Sequence, residues 1–250
     1  MDHPFLKGIK RILLLRVPLD IVPDEELDRV ILEIVERDEI GPVVLLTYAK
    51  LMKARRDPEF LGYLHKAALV IPVSKSLENA VRFLRLPAIF RYEPFAFTIR
   101  ALGVLENKHK SLYLLGERHK AIQLIASNMR ASFPGLNLVG RHAGFFPRDK
   151  EEIILTAVQK ATPSFLLIGA GIPGKDKWSF RLSSRLPVRL ALFSENVFQI
   201  MAGKKKRPSP EVFRKRTFEF SKVLRNPLRL FRIFSLIWFA LLLLIYRWRR

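Results

Sequence analysis

The chain has 250 residues, of which 49% are hydrophobic, enough to bury a sizeable core and too apolar for an intrinsically disordered chain. It contains no cysteine, which excludes a disulfide framework and any thiolate metal site. The net charge is +21, and from Lys204 onward fourteen Lys and Arg stand against Glu211 and Glu219, so +12 of it falls in the last 47 residues. Such a tail suits anionic lipid, a diphosphate or nucleic acid.

Taken in order, Lys10 to Val17 reads as a first strand, and its apolar centre Ile12 to Leu15 is too short for a signal-peptide core. Pro23, Asp24, Glu25 and Glu26 open a helix with Leu27, Ile31, Ile34 and Val35 as its buried stripe. Pro42 to Thr47 is a second strand, followed by a basic helical stretch to Arg56 and a further helix opened by Asp57-Pro58-Glu59. Ala68 to Pro72 is a short buried strand, with a helical stretch after it to Leu84. Pro87 to Phe95 reads as loop, with Pro94 opposing continuous helix.

From Ser111 to Trp178 three apolar runs, Leu112 to Leu115, Leu136 to Val139 and Phe165 to Ile168, alternate with two helical patterns. The first pattern carries Ile122, Ile125 and Met129, the second Ile153, Ile154, Ala157 and Val158. This is a β-α-β-α-β unit of buried parallel strands. The alternation throughout predicts an α/β protein, a mostly parallel Rossmann-like sheet flanked by helices. Ligands of open α/β sheets bind at the carboxyl ends of the strands. The loops to watch are therefore Gly116 to Arg118, Gly140 to Phe146 and Gly169 to Trp178. Gly169-Ala170-Gly171-Ile172-Pro173-Gly174 matches G-x-G-x-x-G after a strand, but Pro173 and Gly174 delay the helix that a dinucleotide site needs. A phosphate-contacting loop and a plain strand-to-helix turn both fit it.

Val188 to Leu192 is the last expected strand. The run KKKRPSP, Lys204 to Pro210, marks a boundary between a core of residues 1–203 and a basic helical appendage, 204–232. Val212 to Leu224 reads as a basic amphipathic helix ending near Asn226-Pro227. Ile233 to Tyr246 is then an unbroken apolar run within a terminal segment, 233–250. At about 1.5 Å per residue this run spans about 21 Å, short of a hydrocarbon core of about 30 Å. Trp238, Tyr246, Trp248 and the flanking arginines suit a membrane interface. One-sided insertion and a thin single span both remain open at this point.

The five histidines have no metal-ligand spacing, and neither a G-x-S-x-G nor a Walker motif occurs. The aromatics cluster in the apolar run instead of on a stacking surface, which argues against nucleic acid.

The blocks LYLLGERHKAIQLIASNMRASFPGLNLVGRHAGFF and FLLIGAGIPGKDKW, with the tail from AGKKKRPSP to NPLRLFR, together resemble the WecG/TagA/CpsF glycosyltransferases (family 26). The resemblance implies a Rossmann-like core that binds a UDP-sugar and passes an N-acetylhexosamine, typically N-acetylmannosamine, to a lipid-linked acceptor. Inversion without metal or cofactor is implied, at the cytoplasmic face of the membrane, in cell-envelope polysaccharide synthesis. By the same resemblance Thr47, Arg91, Gly116, Gly140, Gly144, Gly169, Gly171, Pro173 and Lys175 fall on substrate-binding positions. Arg207, Arg229 and Arg232 fall on positions for the lipid diphosphate.

The chain departs from the family pattern where catalytic polar groups are expected. Val73 stands for the aspartate after Pro72, Ala49 for an asparagine after Thr47, and Pro94 and Ala96 for a glycine and an aspartate after Arg91. Gly174 replaces a lysine and Asp176 a glutamate, the glutamine between them is lost, and Gln199 replaces an aspartate. Valine accepts no proton, so in an active enzyme either another carboxylate serves as base, with Glu78, Glu93 and Asp176 as the candidates, or the acceptor needs less deprotonation. A catalytically silent homologue that binds a UDP-sugar or acts as a scaffold at the membrane is the alternative.

Overall fold

The computed structural model describes residues 2–37, 41–174, 176–182, 185–186, 188–215 and 230–248. Eight strands, eleven α-helices and two short 3-10 helices are described. Strands β1 (Lys10–Leu14) and β2 (Val17–Ile21) form an antiparallel hairpin. The six others are β3 (Gly41–Leu46), β4 (Leu69–Pro72), β5 (Ser111–Leu115), β6 (Asn137–His142), β7 (Phe165–Ile168) and β8 (Leu190–Phe193). They make one parallel sheet in the order β4-β3-β8-β7-β5-β6.

The strand side chains alternate between two helical layers, as the period of two requires. Val43, Leu45, Leu69, Ile71, Leu112, Leu114, Phe165, Leu167, Leu190 and Leu192 are buried on one face. That face is covered by α1 (Leu27–Glu36), α5 (Pro94–Asn107), α6 (His119–Ser132) and α9 (Glu195–Met201). On the other face Val44, Leu46 and Val70 meet α2 (Tyr48–Ala54), α3 (Pro58–Lys66) and α4 (Lys75–Phe83). Tyr113, Leu115, Leu166, Ile168 and Ala191 there meet α7 (Glu151–Ala161) and α8 (Asp176–Arg181). Burial on both faces is why these strands read as continuous apolar runs.

Three expectations change. The single strand expected over Lys10 to Val17 is a hairpin, because Leu15 and Arg16 take left-handed backbone (φ 52° and 72°) and form a two-residue turn. Such turns normally announce themselves with Asn-Gly. The loop expected over Pro87 to Phe95 holds as far as Glu93, with no helix running across it; its last two residues, Pro94 and Phe95, open α5, where the missing N–H of Pro94 is harmless and the Glu93 carboxylate caps the turn. The last strand lies two residues later at its start than expected, set by pairing with β7 and β3.

The appendage folds back on the core. Helix α10 (Pro210–Lys215) is the described part of the expected Val212 to Leu224 helix, and the rest lies outside the described residues. Helix α11 (Leu230–Trp248) buries Phe239 and Leu243 among the residues of the hairpin, α2 and α4, with Phe239 edge-on to Tyr48 at 5.0 Å. Ile237, Trp238, Leu241, Leu244, Ile245 and Trp248 are exposed on its other side. Among the described residues no helix is long and apolar enough to cross a membrane.

Candidate active site

All six parallel strands end at one edge of the sheet, and two groups of loops meet there. The first surrounds a cavity of about 720 Å³ beside the end of β4. Tyr92 donates its N–H to the carbonyl of Pro72 at 3.2 Å, which lays the segment before α5 along the strand end. Val73, where the family resemblance placed an aspartate, is buried and donates its N–H to Leu46. Ser74 accepts from the Tyr48 N–H at 3.0 Å, and Thr47 caps α2 through Lys50 N–H, so the two strand exits are joined.

One helical turn on, Glu78 reaches the cavity and collects cations. Oε1 accepts from Lys75 Nζ at 2.7 Å and lies 3.4 Å from Arg82, while Oε2 accepts from Arg91 Nε at 3.2 Å. Partial burial alone would raise its carboxyl pKa, but Lys75 and Arg91 more than offset that and hold it below the ordinary value. Glu78 is therefore an ionised carboxylate at neutral pH. Glu93, also on the wall, is committed elsewhere: its two oxygens accept the N–H groups of Phe95 and Ala96, and Arg207 stands 3.4 Å away. Tyr92 donates its hydroxyl to Val22, and burial raises its pKa, so it is a neutral donor and no base.

The appendage supplies the opposite wall. Arg91 stacks on Phe213 at 4.0 Å and donates to the carbonyl of Phe213 at 3.0 Å, capping the end of α10. Arg207 lies over Phe95 at 5.3 Å. Lys75, Arg91, Arg207 and Arg214 thus line one cavity with Glu78. This is a carboxylate set among guanidinium and ammonium groups, the donor set that suits a diphosphate.

The second group joins the exits of β5, β6 and β7. Helix α6 leaves β5 toward one layer and α8 follows β7 into the other, so the connections of these adjacent strands diverge, which is the topological position of the ligand crevice in open α/β sheets. Here the glycines pack against each other. A Cβ on Gly116 would lie 2.7 Å from Gly169 N, and one on Gly144 2.4 Å from the Ala170 carbonyl. A Cβ on Gly171 would lie 2.5 Å from Phe145. The N–H groups of Gly116, Gly144 and Gly169 already donate to His142, Glu117 and Leu115. Gly140 lies within β6, where a Cβ would overlap the Tyr113 ring. Gly116→Ala adds that contact at φ +130° and is expected to lower stability by about 3 kcal/mol, read from the urea midpoint.

The structure thus gathers Glu78, Glu93, Arg91 and Arg207 into one cavity and Gly116, Gly144, Gly169 and Gly171 into the neighbouring crevice. Thr47 is at the exit of β3, Pro173 precedes α8, and Asp176 is the first residue of α8. Lys175 and Arg229 lie outside the described residues, and Arg232 is in the first turn of α11. Sequence reasoning missed Lys75, Arg214 and Phe213 as cavity residues. The first is signalled by its (i, i+3) spacing to Glu78; the others depend on a long-range fold-back with no local signal. Among the described residues no group of three His, Asp or Glu could hold a metal.

A parallel α/β sheet with loops and cations converging on its carboxyl edge is the architecture of an enzyme that handles phosphorylated ligands. The chain belongs to the glycosyl transferase WecG/TagA/CpsF family, which it matches over residues 12–250. It is similar to an N-acetylglucosaminyldiphosphoundecaprenol N-acetyl-beta-D-mannosaminyltransferase of Bacillus subtilis (strain 168). The two are 20% identical over 207 residues, 82% of this chain and 80% of that protein. A protein with the same activity name from Bacillus spizizenii is 20% identical over 185 residues, 74% of this chain and 71% of its own length.

Proposed function

We propose that this glycosyltransferase moves an N-acetylhexosamine of the N-acetylmannosamine type from a UDP-sugar to a lipid-linked diphosphate acceptor at the cytoplasmic face of the cell membrane. The observation that carries this reading is Glu78, set among Lys75, Arg91, Arg207 and Arg214 in one cavity beside the strand-edge crevice. The family and the activity of its relatives supply the reaction class. The glycine crevice between β5 and β7 takes the UDP-sugar, and the cavity takes the acceptor.

In the transfer, the acceptor hydroxyl oxygen forms a bond to the anomeric carbon from the face opposite UDP, and its proton passes to Glu78. The bond from that carbon to the diphosphate oxygen breaks, and its electron pair leaves on UDP, which inverts the centre. Glu78 is a poor base while Lys75 and Arg91 are paired to it. An acceptor diphosphate draws those cations toward itself, and the Glu78 pKa then rises toward a value useful for proton transfer. No step of this transfer is assigned to a metal or other cofactor, and EDTA is expected to leave the rate unchanged. The decisive assay combines purified protein in detergent, UDP-N-acetylhexosamines and a lipid-diphosphate acceptor bearing N-acetylglucosamine. Absence of both UDP binding and transfer would refute the reading. UDP-sugar binding without turnover would favour the silent homologue, which Val73 in place of a carboxylate makes the second reading.

Membrane attachment is assigned to α11 lying in the interface plane. Its exposed residues Ile237, Trp238, Leu241, Leu244, Ile245 and Trp248 follow helical spacing, and the tail is strongly basic. Cosedimentation with vesicles rich in anionic lipid is expected, and Leu241→Glu with Leu244→Glu is expected to weaken it at least tenfold. Equal binding by wild type and variant would remove α11 as the anchor.

A further inference from the structure

Glu117 is a buried carboxylate that the chemistry above leaves unused. It sits at the exit of β5 and is only 5% exposed. Its backbone is left-handed at φ 59°, an uncommon state for a side chain of this size. Two bonds hold the loop there: Glu117 N–H to the Ala170 carbonyl and Gly144 N–H to the Glu117 carbonyl, both 2.8 Å. The residue is thereby clamped between the exits of β6 and β7, in the crevice where the strand connections diverge.

Its carboxylate is incompletely paired. Oε1 is buried and has no hydrogen-bond partner, and Oε2 lies 3.7 Å from Nζ of Lys204, a side chain that is 51% exposed. Asp20, a second buried carboxylate, provides the contrast, because both of its oxygens accept hydrogen bonds. An unpaired, buried acceptor is destabilising unless something else donates to it. A carboxylate oxygen is an acceptor, so the missing partner is a hydroxyl or N–H donor, and a phosphate oxygen, an acceptor itself, does not supply it.

We propose that Glu117 accepts hydrogen bonds from vicinal sugar hydroxyls of the nucleoside-diphosphate donor, with Lys204 beside them toward the diphosphate. This rests on the donor reading given under the proposed function. It converts a destabilising feature of the empty protein into a specificity determinant, since a ligand lacking the hydroxyls leaves the carboxylate unpaired.

The test measures binding of UDP, 2′-deoxy-UDP, 3′-deoxy-UDP and a UDP-N-acetylhexosamine to the full chain in detergent, for wild type, Glu117→Gln and Glu117→Ala. Wild type is expected to bind UDP about 10- to 100-fold more tightly than a deoxy analogue, the range for a hydrogen bond to a charged group. Glu117→Ala is expected to erase that preference. Glu117→Gln is expected to raise the melting temperature without ligand while weakening UDP, the reverse of what loss of a structural ion pair to Lys204 would do. If Glu117→Ala weakens the UDP-sugar and leaves UDP unchanged, the hydroxyls are those of the hexosamine and the class of contact stands. Undiminished discrimination by Glu117→Ala overturns the assignment alone. Failure of the wild type to bind UDP overturns the donor reading and this assignment with it.

Discussion

Glu78→Gln is expected to lower kcat for sugar transfer by about 10²- to 10³-fold, within the usual contribution of a general base, while UDP affinity changes by less than about threefold. The reasoning is geometric. Glu78 is in the acceptor cavity, apart from the crevice between β5 and β7, so its neutral isostere removes the proton acceptor and leaves the donor site intact. A purely structural role for Glu78, as the anchor of Lys75 and Arg91, predicts a different split. The acceptor KM would then rise with kcat nearly constant, because the cations would be misplaced and the base unaffected. The pH profile separates the two further. In the free protein Glu78 has a lowered pKa because Lys75 and Arg91 outweigh the effect of burial, so kcat/KM should fall only in the acid range, and the acid limb of kcat, which reports the acceptor complex, should lie at higher pH. In Glu78→Gln that acid limb should vanish. Glu93→Gln is the matched control: it weakens a helix cap, at a cost of about 1 kcal/mol, and should leave the limb in place.

The fold was largely legible because the signals that carry it are local. Five of the eight strands, β3, β4, β5, β7 and β8, are apolar runs closed by Gly, Pro or a capping residue, and Thr47 and Asp57 announce α2 and α3 through side chains that accept backbone N–H groups. The β-hairpin was hidden because its turn is Leu15-Arg16, residues that carry no turn signal; burial of Leu15 holds a backbone that its own chemistry disfavours. Pro94 ended the expected loop two residues early, since the same ring that breaks a helix interior suits its first turn. The candidate site was legible in part. Arg91 and Arg207 were reached through resemblance to a family, and Glu78 as a carboxylate near the altered Pro72-Val73-Ser74 exit. That these converge depends on residues 207–214 returning across more than a hundred positions to Arg91, a contact that no local pattern encodes. The terminal apolar run was visible as a run, but its division into a docked stripe, with Phe239 and Leu243, and an exposed stripe is a tertiary fact.

Asp20→Ala is expected to destabilise the protein by about 3–5 kcal/mol, the cost of stranding the partner of a buried charge. Asp20 is fully buried on β2, and its carboxylate joins three parts of the chain. Arg11 Nε and NH2 donate to its two oxygens at 2.6 and 2.8 Å, and Val70 N–H of β4 donates at 2.6 Å. His3 Nε2 stands 3.6 Å away, with Nδ1 accepting the Phe5 and Leu6 N–H groups. Arg11 also reaches the carbonyls of His65 and Ala67 at the end of α3. Asp20 thus serves the edge strand β4 as the acceptor that a seventh strand would otherwise provide. Burial would raise its pKa, yet Arg11 and His3 together hold it below the ordinary aspartate value. A depressed folded-state pKa contributes stability above the unfolded value, about 3.9, and that contribution is lost as pH falls through the folded value. Acid titration should therefore narrow the gap between wild type and Asp20→Ala in urea midpoints. Arg11→Met with Asp20→Leu should lose less than Asp20→Ala alone, since neither charge is then left unpaired. Retention of wild-type stability by Asp20→Ala would dismiss the cluster as a structural element. Because β4 runs from Val70 into Pro72 and the Val73-Ser74 exit ahead of Glu78, loosening at Asp20 should also reach the cavity, appearing as a weaker acceptor KM before the chain unfolds.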